Sequence, residues 1–162
     1  MTYEERLAAV ERRLDELEAG HAASPAPSSG DFWVLDGLRP AAEGNEGVVL
    51  WAGTVRTADG PVDWQMGRMA DELLHADDLD AVADRLAALG HPVRLALLLA
   101  VIRGTTKVTD LAEHLQLAST GQVYHHIKAL SAGGWLRQAT RGHVAVPPER
   151  VVPVLVAMGV TT

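Results

Sequence analysis

The chain contains no cysteine. Disulfides, thiolate zinc sites and cysteine nucleophiles are excluded with it. Aromatic residues are scarce: one Phe, two Tyr and four Trp in 162 residues. Lysine is nearly absent, with two Lys beside twelve Arg, and this bias with abundant Ala, Gly and Val suggests a GC-rich bacterial genome. The longest apolar run, Leu95 to Ile102, is far short of the roughly 20 residues that a membrane span needs. The opening residues Met1-Thr2-Tyr3-Glu4-Glu5 are polar and acidic, with no signal-type apolar stretch behind them. The expectation is a cytoplasmic protein without membrane contact. No Ser/His/Asp order, phosphate-cradling glycine loop or paired carboxylates in an apolar setting can be found. Neither an enzyme nor a cofactor is expected.

Nearly half of the residues are hydrophobic (48%), so the chain can bury a core. The net charge of −7 is unevenly spread. Residues 1–80 carry 6 Arg against 17 Asp and Glu, a net −11, whereas residues 81–162 carry 8 Lys and Arg against 4 acids, a net +4. The C-terminal half is therefore the candidate surface for a polyanion.

Residues 3–19 read as an amphipathic helix stopped by Gly20. Leu7 and Leu14 take heptad position a, and Tyr3, Val10 and Leu17 take position d. Arg6 and Arg13 then occupy g, facing Glu11 and Glu18 at e of a parallel partner. This pattern predicts a parallel homodimeric coiled coil over residues 1–20, with Tyr3, Leu7, Val10, Leu14 and Leu17 as its seam. Residues 21–30 (HAASPAPSSG) form a Pro/Ser/Ala linker.

Residues 31–76 are read as a β-hairpin module. Asp31 to Pro40 suggests a short helix. Val48 to Thr57 and Val62 to Met66 suggest paired strands around Ala58-Asp59-Gly60, the second apolar on one face only. Trp51 and Trp64 fall on the two strands, where they can pack across the pair or line a pocket. This segment is the candidate site for a small-molecule or protein effector.

Residues 77–162 are mostly helical. Asp77 to Leu89 places Leu79, Val82, Ala83, Leu86 and Leu89 on one side. Gly90 ends it, and His91-Pro92 opens a second helix running to Arg103. Thr109 or Asp110 is expected to cap a short helix to Leu117. Ser119-Thr120-Gly121-Gln122 is a capping box opening a helix to Ala132. Two short strands, 135–138 and 143–146, flank Ala139-Thr140-Arg141-Gly142, and Pro147-Pro148 opens a last helix. A short helix, a tight turn and a second capped helix make a helix-turn-helix, and the hairpin behind it makes it winged. The second helix must carry polar side chains to enter a major groove. Ser119, Thr120, Gln122, Tyr124, His125 and Lys128 surround its apolar stripe of Val123, Ile127 and Leu130. Gln122 can pair bidentately with adenine. The wing offers Arg137, Arg141 and His143 to phosphates or an adjacent groove.

On these residues the segment from 81 to about 146 resembles the ArsR-type winged helix-turn-helix regulators. LAALGHPVRLALLLAVIRG, TDLAEHLQL and YHHIKALSAGGWL carry the likeness. The resemblance implies a dimeric DNA-binding regulator, usually a repressor released by a small signal. Two departures stand out. The turn ASTGQ is one residue longer than the common pattern. The metal ligands of many relatives are also missing, since KVTDLAEHL has no cysteine and PPERVVPVLVAMG neither Asp nor His. His125 and His126 point about 100° apart on a helix and cannot readily chelate one ion. The acidic run after His75 suits a helix start. No metal is expected.

The reading is an α+β chain: a mainly helical winged helix-turn-helix domain preceded by a β-hairpin module and an N-terminal coiled-coil-like helix. Its expected partners are double-stranded DNA, at a palindromic operator, and a second copy of itself. The competing reading is a winged-helix protein–protein interaction module, with the acidic half as the partner surface.

Overall fold

The computed structural model describes residues 33–161 together with residues 6, 9, 10, 12 and 13. Of the expected coiled-coil seam, Tyr3, Leu7, Leu14 and Leu17 lie outside the described residues. Val10 is helical and 56% exposed. The chain divides into two compact units, Met1–Gly47 and Val48–Thr162.

In the first unit, helix α1 spans Trp33–Ala42 and buries no residue. Arg39 pairs with Asp36 one turn earlier at 2.6 Å. The chain leaves the helix through Gly44 (φ 79°) and an Asn45 side chain that accepts from the Gly47 N–H at 2.8 Å.

The second unit opens with two antiparallel strands, β1 (Val48–Thr57) and β2 (Gly60–Met69). Thr57 pairs with Gly60, leaving Ala58-Asp59 as a two-residue turn, and Gly60 adopts φ 121°. Alternation puts Trp51, Gly53 and Val55 on one half-buried face with Val62, Trp64 and Met66. This face lies against the last helix of the chain, α7 (Pro148–Gly159). At Gly53, which pairs with Trp64, a methyl group would sit 3.2 Å from Val152. The division read from the sequence at 76/77 falls inside this unit, because the apolar face of the hairpin finds its cover on α7.

A short helix α2, Ala70–Leu74, follows β2. Helix α3 (Leu79–Leu89) begins at Asp78, whose carboxylate accepts from the Ala81 N–H at 3.0 Å. Helix α4 (Pro92–Ile102) meets it at a bend of 76°. His91 caps α4, its Nδ1 accepting from the Val93 N–H at 3.1 Å. Arg94 reaches back from α4 and donates to the terminal carbonyls of α3, Ala88 at 2.6 Å and Ala87 at 2.7 Å. The Gly-His-Pro-Val-Arg run is thus a corner: a stop, a cap, a pre-set first turn and a cation for the preceding carbonyls.

Helix α5 (Val108–His114) and helix α6 (Thr120–Ala132) pack on each other. Between them Gln116 takes φ 51°, and the Leu117 N–H returns to the Ala112 carbonyl at 3.0 Å. The antiparallel strands β3 (Arg137–Thr140) and β4 (His143–Ala145) follow α6. Two bonds tie this hairpin to the start of α5: Val108 N–H to the Gly142 carbonyl at 3.0 Å and Val144 N–H to the Thr106 carbonyl at 2.9 Å.

Leu97, Leu98, Leu111, Val123, Leu130 and Val154 are fully buried, so the core lies where α4, α5, α6 and α7 meet. Trp135 is buried too. Its indole N–H donates to the Arg85 carbonyl at 2.8 Å, and the Arg150 guanidinium lies 5.3 Å from its ring centre. Among the described residues no single helix is long and apolar enough to cross a membrane.

One expectation is corrected, and two further features emerge. The short helix spans Val108–His114, with Lys107 rather than Thr109 or Asp110 at its N-cap. Lys107 is bridged to His143, which fixes the chain in extended form up to that residue. Helix α2 had no sequence signal of its own. On α3 the apolar side is not a core face: Ala88 and Leu89 are its buried residues, while Leu79, Val82 and Leu86 are exposed.

Candidate nucleic-acid interface

Helix α6 is held by its ends and its apolar stripe. The Ser119 hydroxyl accepts from the Gln122 N–H at 3.4 Å at the N-terminus. At the other end Gly134 (φ 70°) turns the chain, and the Trp135 N–H bonds the Leu130 carbonyl at 2.9 Å. Val123 and Leu130 are fully buried. A rotation of about 100° per residue then points Gly121, Tyr124, His125 and Lys128 outward; all four are exposed. Gly121, without a side chain, lets a ligand approach the first turn of the backbone closely.

The turn side of this face opens on a cleft. Thr120 and Tyr124 from α6, Lys107 at the N-cap of α5, Thr109 from α5, Arg141 from the β3–β4 turn and His143 from β4 line it together. Tyr124 is 54% exposed. Gly142 (φ 75°) makes the tight turn that carries Arg141 to the tip. Lys107 lies 3.6 Å from the Asp110 carboxylate, both side chains more than half exposed, so this pair is weak and solvated.

The structure therefore gathers Thr120, Tyr124, Arg141 and His143 from the expected set and adds Lys107 and Thr109. His125 and Lys128 continue the same helix face. Ser119 serves as the cap. Arg137 pairs with Ala145 at the base of the hairpin, away from the tip. Sequence reasoning passed over Lys107, although its being one of only two lysines, the other on α6, was a usable signal.

Gln122 differs from expectation. Its side-chain carbonyl accepts from the Ala118 N–H at 3.1 Å, closing the turn before α6. Bidentate pairing with adenine needs both the carbonyl and the amide of the side chain, so this geometry leaves the amide nitrogen as its one outward donor. Gln122→Glu keeps the acceptor and removes that donor. Thermal stability should stay within about 0.5 kcal/mol of wild type, the range of a benign surface change. If the amide touches a base, affinity for the preferred site falls by roughly tenfold more than affinity for random DNA, since the added carboxylate charge weakens both alike. Equal losses for the two DNAs in a mobility-shift titration would assign Gln122 to the turn alone.

Behind the exposed face lies a histidine cluster. The His126 ring is 4.9 Å from that of His91 and 5.6 Å from that of His125, and its Nδ1 is buried without a partner. Burial, then the neighbouring His91, His125 and Arg94, hold its pKa below the ordinary 6.5. The folded chain thus takes up this proton less readily than the unfolded one. The associated stability is fully present above about pH 6.5 and is lost as pH falls through the lowered folded value. Urea midpoints should decline below pH 6.5, and His126→Phe should flatten that decline. An unchanged pH dependence in the variant would clear His126 of the effect.

Residues 89–138 match the family model of a helix-turn-helix domain. The matched helix-turn-helix segment starts on the last residue of α3, contains α4, α5 and α6, and ends within β3. It takes in the exposed face of α6, while the tip residues Arg141 and His143 lie just beyond it. The match supports a DNA-binding regulator. No curated protein and no solved structure matches the chain.

Proposed function

We propose that the protein is a non-enzymatic transcriptional regulator of the ArsR-like winged type, binding a palindromic operator as a homodimer and repressing from it. Helix α6 enters the major groove, and the β3–β4 hairpin is the wing that reaches phosphates or the adjacent groove. The observation that carries this reading is the cleft where Thr120, Tyr124, Lys107, Arg141 and His143 converge beside the open face of α6. Groups of this kind divide the work. Lys and Arg hold phosphate, and hydroxyl and imidazole groups meet base edges or sugar. The uneven charge agrees, since the half carrying the cleft is net +4 while the other is net −11. The N-terminal helix adds a parallel coiled coil to the dimer, and the 31–76 segment is where an effector acts.

Mobility shift with promoter fragments tests the reading. Binding should persist in excess nonspecific DNA. Weak binding that is blind to sequence and collapses with salt would favour a protein–protein interaction module instead.

A further inference from the structure

Five of the eight exposed large apolar residues of the second unit lie on two consecutive helices. Leu73 (47%) and Leu74 (70%) lie on α2, and Leu79 (66%), Val82 (41%) and Leu86 (58%) lie on α3. On α3 the spacings of three and four place all three residues in one stripe. The helix gives only its last turn, Ala88 and Leu89, to its own core. Scattered surface leucines need no explanation, but a stripe of this kind marks an interaction surface.

The charges beside the stripe identify its occupant. With Leu79 and Leu86 at position a and Val82 at d, Asp78 and Arg85 are both at g and Ala83 is at e. Asp80 and Asp84 fall on outer positions. In a parallel pair of such helices g faces e, which sets Asp78 against alanine and gains nothing. In an antiparallel pair g faces g. Leu79 then packs on Val82 of the partner subunit, and Asp78 meets Arg85 of the partner subunit, twice over by symmetry. Antiparallel helices also oppose their dipoles favourably. Leu86 is carried toward the partner's α2, where Leu73 and Leu74 are exposed.

We propose that α3 forms a two-fold interface with α3 of a second copy, in antiparallel register, sealed at both ends by an Asp78–Arg85 pair. The contact is isologous and therefore closes at the dimer. It rests on the homodimer of the proposed function and assigns that dimer a surface in the globular unit.

Sedimentation of the full chain without DNA tests it. The wild type should be dimeric at micromolar concentration, and Val82→Lys should weaken the dimer by at least tenfold. Arg85→Asp and Asp78→Arg should each weaken it by about tenfold, because each sets like charges face to face. Mixed in equal amounts, these two variants should recover wild-type affinity within about threefold, since the heterodimer restores both pairs. Asp78 also caps α3, so circular dichroism must first show Asp78→Arg helical. Should that variant fail to fold, a mixture of Leu79→Cys and Val82→Cys chains should cross-link rapidly between unlike chains. A monomeric wild type, a dimer indifferent to Val82→Lys, mixing without recovery, or absent cross-linking of the cysteine pair would overturn the proposal. A monomer that still shifts DNA would contradict this interface and spare the DNA reading. A dimer that obeys the charge swap but ignores DNA would do the reverse.

Discussion

Replacing Lys128 and Arg141 together by alanine is expected to weaken binding to every DNA sequence by about a hundredfold. Each side chain is exposed, and among the described residues neither makes a hydrogen bond or ion pair that its loss would disrupt. A charge-assisted contact contributes about 1.5 kcal/mol or more, roughly tenfold in affinity. Two such contacts with phosphate should also lower the salt slope of log K by about two. The effect should be uniform across sequences, because phosphate contacts carry no base information. Arg39→Ala serves as the control. It lies on α1, paired with Asp36, and should leave affinity and slope unchanged. Titrations by fluorescence anisotropy at several salt concentrations would measure both quantities. Wild-type affinity and slope in the double variant would remove α6 and the β3–β4 tip from the interface together.

Leu111→Ala should be the most damaging substitution for the fold. Leu111 is fully buried on α5 and belongs to the core that includes Val123 and Leu130 of α6. Truncation removes its transfer energy and leaves a cavity, at a cost of about 2–5 kcal/mol. A domain of this size is stable by about 5–15 kcal/mol in total, so a large share of the folded population is at stake near growth temperature. A urea titration followed by circular dichroism should show the midpoint lowered with little change in slope. A loss below about 1 kcal/mol would mean that the α5–α6 contact is looser than its burial indicates. Because α6 is positioned through this contact, DNA affinity should fall as the folded fraction falls.

Local chemistry made much of this structure readable in advance. The Gly90 stop with Pro92 behind it, the Ser119 cap and the alternation in β2 each depend on neighbours within four residues. What escaped depends on distant partners. Lys107 begins α5 because it is bridged to His143, which no local pattern encodes. Gln122 has the composition of a base reader, yet its carbonyl is spent on the Ala118 N–H. The alternation of Val62, Trp64 and Met66 announces one covered face without saying that α7 covers it. Periodicity on α3 is likewise ambiguous. The same stripe of Leu79, Val82 and Leu86 suits a core face or an intermolecular one, and only their exposure separates the two. At the candidate interface, the members on α6 were legible as its polar face. The cleft was not, since it needs the hairpin tip and the start of α5 to meet.

Under the proposed function, α6 and the β3–β4 hairpin recognise DNA by sequence. Selection of bound duplexes from a random pool by the whole chain at near-physiological salt is the decisive measurement. Enrichment of a roughly palindromic motif with half-sites about one helical turn apart is expected. The enriched site should bind at least about a thousandfold more tightly than random DNA. A pool that stays random through successive rounds, with only salt-sensitive and sequence-blind retention, would contradict it.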